Sequence, residues 1–536
     1  MSIRNSQAIV QDGITFRKGP LIKADVRVVH TDGLGRALKG AVVGNIIEWY
    51  EFGVFGFLIT VMGPVFLPAA EPAVQSLYLF GTFAVTFLAR PVGGIFFGWL
   101  GDRIGRRKVL TFTLLFMSLA TLTTGLLPGY ESIGIWAPIL LVLIRLLQGF
   151  SASGEYTSAA TFLSEYAPDR RRGFFVGIMA ATTYVGFALG AGLVGLLQLT
   201  TNAGFMQEWG WRIPFLIVLP MTSIAFYFRY RVKESPAFAA VLKDRQIAQQ
   251  QSDEAPKNMG VIKVIKSQGR AILPVIGIAA AGNVIAYTML SFAPTYLNQT
   301  LGFKGAEGNL VLFPLYILAA VFTVIAGAMS DRIGRKPTLT IGAVVGIVVA
   351  VPAFLMMASG SLILAALGAL ALMVASAVFS QSYASTLPEQ FPTEARSSAL
   401  GLAYNLGNAA FGGTAPLIVG ALIASTGNVQ IPAYYLIGAS LLGLLSILGL
   451  KETGSRPLNG SLPNAETELE AERLVATQSQ NPLLNLDVMP LPYDAFGVGA
   501  DGNEVMLQST DANVQRAAAA AGIRLRAQHL ASVDET

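Results

Sequence analysis

The sequence predicts an all-α membrane protein: twelve transmembrane helices in two six-helix bundles that repeat one another, followed by a cytoplasmic tail. Three observations predict it. Hydrophobic residues make up 53% of the 536 and charged residues 13%, with a mean hydropathy of +0.56; a soluble chain carries about 25% charge. Apolar runs recur twelve times, each long enough for the ~30 Å hydrocarbon core. Two motifs recur at nearly one offset, the mark of a duplicated bundle.

In order, the apolar cores run over about 39–63, 77–99, 109–128, 135–157, 173–197 and 213–230, then 271–296, 309–329, 338–358, 361–386, 398–424 and 432–450. The chain therefore divides into an N-terminal segment (1–37), a first bundle (38–230), a polar central loop (231–270), a second bundle (271–450) and a tail (451–536). Cations fall on alternate loops: Arg103, Arg106, Arg107 and Lys108, then Arg170 to Arg172, then Arg332, Arg335 and Lys336. The positive-inside bias puts both termini in the cytoplasm, with Trp136, Trp209 and Trp211 at outer edges. The first thirty residues are polar and mixed, so no signal peptide is expected. Cysteine is absent and the only histidines are His30 and His529, so neither a disulfide nor a metal or other cofactor is expected. The net charge of +5 follows from the loop cations, and no nucleic-acid partner is implied.

Span 1 contains the strongest functional signal. Glu48 and Glu51 lie mid-run, where each carboxylate costs about 2.5–3.5 kcal/mol on insertion scales. Spaced i, i+3, they share a face. A structural ion pair is one reading; a proton or solute site is the favoured one. Span 2 adds Arg90 and span 4 adds Arg145 and Glu155, whereas the apolar cores of spans 7–12 contain no charge. A duplicated bundle that does without these charges argues that they do more than hold helices together. Arg145, Gln148, Ala152 and Glu155 fall at helical spacing, and Arg145 lies about as deep as the two glutamates. An Arg shared between carboxylates and a solute anion couples proton and solute binding. Glu155 serves equally well as a third proton-linked group or as a structural partner of Arg145. Arg90 either snorkels or pairs with a carboxylate.

Gly98-Trp-Leu-Gly-Asp102-Arg-Ile-Gly105-Arg106-Arg107 recurs 229 positions on as Gly327-Ala-Met-Ser-Asp331-Arg-Ile-Gly334-Arg335-Lys336. Glu165 to Arg172 recurs as Glu389 to Arg396, 224 positions on. The first pair resembles the signature of the major facilitator superfamily. Glu48-Trp-Tyr-Glu51-Phe-Gly53, Arg90-Pro-Val-Gly-Gly94 and Gln148-Gly-Phe-Ser-Ala-Ser-Gly154-Glu155-Tyr156 resemble its metabolite:proton symporter family. Trp209-Gly-Trp-Arg212-Ile-Pro214, Phe391-Pro-Thr393 and Pro432-Ala-Tyr-Tyr435 look most like its osmosensing proline/glycine betaine–proton symporters. Glu51 stands where such relatives usually have Asp, and Ser153 where they usually have Gly. The resemblance does not extend into the tail beyond about Ala476.

The resemblance implies a proton-coupled importer of a zwitterionic osmolyte, working by alternating access in the inner membrane as a monomer or weak oligomer. It implies that Gly98, Asp102, Arg106, Asp331 and Arg335 form cytoplasmic gates. The residues themselves supply a cation for a carboxylate (Arg145, with Arg90) and aromatic faces for a nitrogen (Trp49, Phe52, Tyr156 and Tyr287). Two converging cations keep a di- or tricarboxylate substrate possible, and a solute sensor without net transport is a further class. In the tail, Asn464–Thr477 and Asp511–Ala531 read as helices within an otherwise loosely ordered chain that has no heptads.

Overall fold

Ten helices among the described residues are long and apolar enough to cross a membrane; a bent pair and one shorter apolar helix bring the spans to twelve. The structure, a computed structural model, describes residues 9–12, 14–29, 31–104, 106–231, 261–393, 395–498, 504–509, 511–521 and 525–526. Most of the expected central loop, 232–260, lies outside the described residues. The chain forms two compact units: His30–Ser455, and Met1–Val29 together with Arg456–Thr536.

All twelve expected spans are present, and several are less regular than their apolar runs. Span 1 is two helices, Thr31–Phe57 and Ile59–Phe66, bent by 64° at Leu58. Gly53 and Gly56 before the bend and Pro64 after it weaken the hydrogen-bond ladder there. Span 4 breaks into a 3₁₀ turn at Ala152–Gly154 before resuming as Glu155–Tyr166. The expected straight stripe from Arg145 to Glu155 is therefore interrupted, Ser and Gly being poor at holding an α turn. Spans 7 and 11 contain π turns at Thr288–Phe292, Tyr296–Thr300 and Asn408–Gly412.

The two halves meet along small residues. A Cβ at Gly327 in span 8 would lie 2.5 Å from the Gly173 carbonyl oxygen in span 5. One at Gly177 would lie 3.4 Å from the Gly327 Cα. Without hydrophobic expulsion to drive helices together in lipid, such close backbone approach supplies the packing.

The second unit corrects the expectation of a loose tail. Strands β1 (Ile9–Gln11), β2 (Ile14–Lys18), β5 (Tyr493–Val498) and β6 (Glu504–Met506) form one antiparallel sheet in the order β1-β2-β5-β6. Strands β3 (Arg27–Val28) and β4 (Asn464–Ala465) pair in parallel. The helix Ala512–Ala521 packs Val514, Ala517 and Ala518 on Phe16 and Ala495. The helix Glu468–Thr477 is shorter than expected at its start, where the Thr467 hydroxyl accepts from the Glu470 amide at 3.2 Å. Its Glu472 and Glu468 pair with Lys23 at 2.8 and 3.2 Å. Those bonds, to Glu472 first, hold the Lys23 ammonium above its ordinary pKa. The partner of each tail strand lies at the far end of the sequence, where no local pattern reveals it.

Candidate functional site

The two span-1 carboxylates occupy different surroundings. Glu48 is fully buried and its Oε1 accepts from Arg90 Nη2 at 3.0 Å. Span 2 positions Arg90 one residue before Pro91, and its guanidinium lies over the rings of Phe87 (4.6 Å) and Phe52 (4.9 Å). Glu48 Oε2 and Arg90 Nε have no hydrogen-bond partner among the described residues. Of the two fates open to Arg90 in the sequence, pairing is the one observed.

Glu51 faces spans 3 and 4. Its Oε2 accepts from the Thr121 hydroxyl and, at 2.9 Å, from Gln148 Nε2, which also donates to Thr121 at 2.8 Å. Gln148 in turn accepts from Arg145 Nη1. Arg145 stacks 3.6 Å over the Phe55 ring, and its Nε and Nη2 are unpartnered among the described residues. Arg145 thus reaches Glu51 through Gln148. Glu155, also buried, is close enough to both span-1 carboxylates for their charges to interact.

A cavity of about 20 Å³ lies between the halves, walled by Trp49, Tyr156, Thr183, Asn283, Tyr287 and Tyr383 among others. Of the solute residues expected from sequence, Trp49, Tyr156 and Tyr287 reach this wall; Phe52, Arg90 and Arg145 do not. Trp49 is fixed by Asn45, which accepts its Nε1–H at 3.0 Å and donates to Thr182 at 2.8 Å. The Tyr287 ring neighbours Phe87 (5.0 Å), Phe83 (5.9 Å) and Trp49 (6.0 Å), and Tyr156 stacks on Tyr404 at 5.2 Å. The space admits about one water, so this conformation is occluded.

Both ends are shut. At the end bearing the Asp-Arg-Ile-Gly motifs, Asp331 accepts from the Gly173 and Phe174 amides at 2.7 and 2.8 Å, capping the start of span 5. Arg335 donates to Asp331 and to Glu389. Arg172 reaches Glu389 at 3.0 Å, and Arg396 reaches Glu165 at 2.8 Å. At the other end Ser76 bonds Gln299 at 2.6 Å and Asn309 bonds Gln198 at 2.9 Å. Gly98, Asp102 and Arg106 lie on described helices, but their surroundings, and the side chains of Asp102 and Arg106, are outside what is described.

The sequence reading left Glu165, Arg172, Glu389 and Arg396 out of the gate, although their repeat at a constant offset held the signal. It also missed Asn45 and Thr121, which no spacing rule singles out.

A twelve-helix bundle with two duplicated halves around an occluded cavity is the architecture of a membrane carrier. The chain belongs to the sugar (and other) transporter family, whose profile matches residues 39–461. It is a multi-pass membrane transporter and not an enzyme. It is 39% identical over 463 residues to the proline/betaine transporter of Escherichia coli K12, covering 86% of this chain and 92% of that one. It is also 39% identical over 465 residues to the glycine betaine/proline/ectoine/pipecolic acid transporter OusA of Dickeya dadantii, covering 87% and 93%. The ectoine/proline transporter ProP of Corynebacterium glutamicum is 39% identical over 484 residues, covering 89% and 95%. The major facilitator superfamily proton:xylose symporter XylE shares the fold, with a TM-score of 0.64 at 19% identity over 80% of this chain and 98% of that one.

Proposed function

We propose that the chain is a proton-coupled symporter of the inner membrane that imports a small zwitterionic osmolyte, such as proline or glycine betaine, by alternating access. The observation that carries this is the pair of fully buried span-1 carboxylates, each with one oxygen unpartnered, beside an aromatic-walled cavity between the halves. The names of the 39%-identical relatives supply the solute class. Glu51 and Glu48 are the proton-linked groups, with Glu155 beside them. Arg145 serves the solute's carboxylate, with Arg90, paired to Glu48 in this state, as the second candidate once that pair opens; Trp49, Phe52, Tyr156 and Tyr287 serve its nitrogen through their π faces. Because Arg90 is committed to Glu48, two free cations do not converge, which favours a zwitterion over a dicarboxylate. Gly98, Asp102, Arg106, Asp331 and Arg335 belong to the gate, both termini are cytoplasmic, and the working unit is a monomer or weak oligomer.

Purified full-length protein in proteoliposomes tests this. Labelled proline or glycine betaine should accumulate when the outside is acidified and fall back when a protonophore is added. Uptake indifferent to the pH gradient would refute proton coupling, and uptake of citrate in place of the zwitterions would refute the solute class.

A further inference from the structure

Four asparagines buried in the membrane unit, Asn45, Asn283, Asn309 and Asn405, each make at least one hydrogen bond from the side chain. Asn408 in span 11 is equally buried, and its amide has no well-formed hydrogen bond among the described residues, its one polar neighbour being the Tyr287 hydroxyl, itself without a well-formed bond. A buried side-chain amide without a well-formed bond is costly, and an apolar residue of the same size would remove the cost. An amide placed there points to a partner that comes and goes.

The surroundings say which partner. Asn408 opens the π turn Asn408–Gly412, a distortion that often marks functional positions. A Cβ at Gly412 would lie 2.5 Å from Asn283 Cβ, 2.8 Å from Asn408 Oδ1 and 3.1 Å from Tyr287 Cε2. The amide oxygen therefore stands directly beside Asn283 and Tyr287, two residues of the cavity wall. Tyr287 in turn belongs to the ring group with Phe83, Phe87 and Trp49. Electron-rich ring faces and a carbonyl oxygen without a well-formed bond together suit a cation that carries N–H groups.

We propose that Asn408 sets specificity at the solute's nitrogen, its Oδ1 accepting an N–H from a secondary ammonium and so favouring such solutes over fully methylated ones. This rests on the zwitterion-symport reading above. A quaternary ammonium has no N–H to offer and leaves the amide as it stands in the occluded structure, so it gains only the ring contacts. A solute such as proline gains the bond as well. Asn408 reads the substrate and takes no part in proton movement.

The test compares L-proline with N,N-dimethylproline, the same ring without N–H groups, in proteoliposomes of the full chain. Asn408→Leu should raise the KM for proline about tenfold or more, the scale of one lost bond to a charged group, and leave that for N,N-dimethylproline within about twofold. Retained transport of the dimethyl compound also shows that the variant folds. Asn408→Ser, which keeps a short acceptor, should fall between. An unchanged ratio of the two KM values overturns the proposal, as does an equal loss of both solutes in both variants. Wild-type protein that takes up neither solute fails at an earlier step, and refutes the symport reading itself.

Discussion

Arg172 in the first half donates to Glu389 in the second at 3.0 Å, and the same pair inverted, Arg396 to Glu165, closes at 2.8 Å. Each Arg also bonds a carbonyl of its own half at equivalent repeat positions, Ser164 at 3.1 Å and Pro388 at 3.2 Å. The duplication thus exchanges charge partners across the cleft: each half supplies the cation for the other half's carboxylate. Opening this end must break both.

Glu389→Gln should bias the transporter toward the state open at this end. Glu389 also binds Arg335, and removing a partner from a buried pair costs about 3–5 kcal/mol. The sequence has no cysteine, so Thr183→Cys in the cavity wall gives a lone reporter. An impermeant maleimide applied from the gate side should label it faster in the Glu389→Gln background. Equal labelling rates would mean that the network does not hold the gate.

Much of this was legible in the sequence, and the limits are physical. Hydropathy located all twelve spans because bilayer thickness sets their length. The mid-membrane cost of a carboxylate singled out Glu48 and Glu51. What pattern alone did not reveal was which cation each would meet: equal depth favoured Arg145, while helix rotation gave Glu48 to Arg90 and put Gln148 between Arg145 and Glu51. The π turns escaped because Asn408–Gly412 reads as ordinary apolar helix.

Glu51→Gln should abolish accumulation driven by a pH gradient while leaving exchange of internal for external solute. Thr121→Val should weaken the driven mode selectively, since it removes a donor that favours the charged carboxylate, an effect of about 1.5–3 kcal/mol for a bond to a charged group. The pH dependence of driven uptake should then shift to higher values in Thr121→Val. Pre-steady-state uptake across external pH reads both variants, and pH-driven accumulation surviving in both Glu51→Gln and Glu48→Gln would move the proton elsewhere.

Arg90→Gln alone should be more damaging than the double change Arg90→Gln with Glu48→Gln, because the single variant leaves a buried carboxylate without its cation. Thermal unfolding of the purified protein should place the single variant below the double one. Arg145→Lys keeps charge but loses the planar fork that stacks on Phe55 and bonds Gln148, so solute affinity should fall in it and vanish in Arg145→Ala.

Phe16→Ala should loosen the terminal unit, whose smaller core it anchors, by about 3–5 kcal/mol. Limited proteolysis should then cut the chain beyond Arg456 while the membrane spans stay intact. Cleavage no faster than in wild type would show that the sheet does not depend on this residue.

Thr15 pairs with Phe496, so β1 and β2 leave the ribosome 481 residues before their partner. At ~5–20 residues per second that wait lasts about 25–95 s. Throughout it Ile14 and Phe16 are uncovered and the edge of β2 is unpaired while twelve helices are inserted. Biogenesis therefore has a vulnerable interval: the β1–β2 hairpin must be kept from foreign strands until β5 is made. A chain that stalls anywhere in the spans never completes the sheet, and leaves the β2 edge open to pairing with other chains.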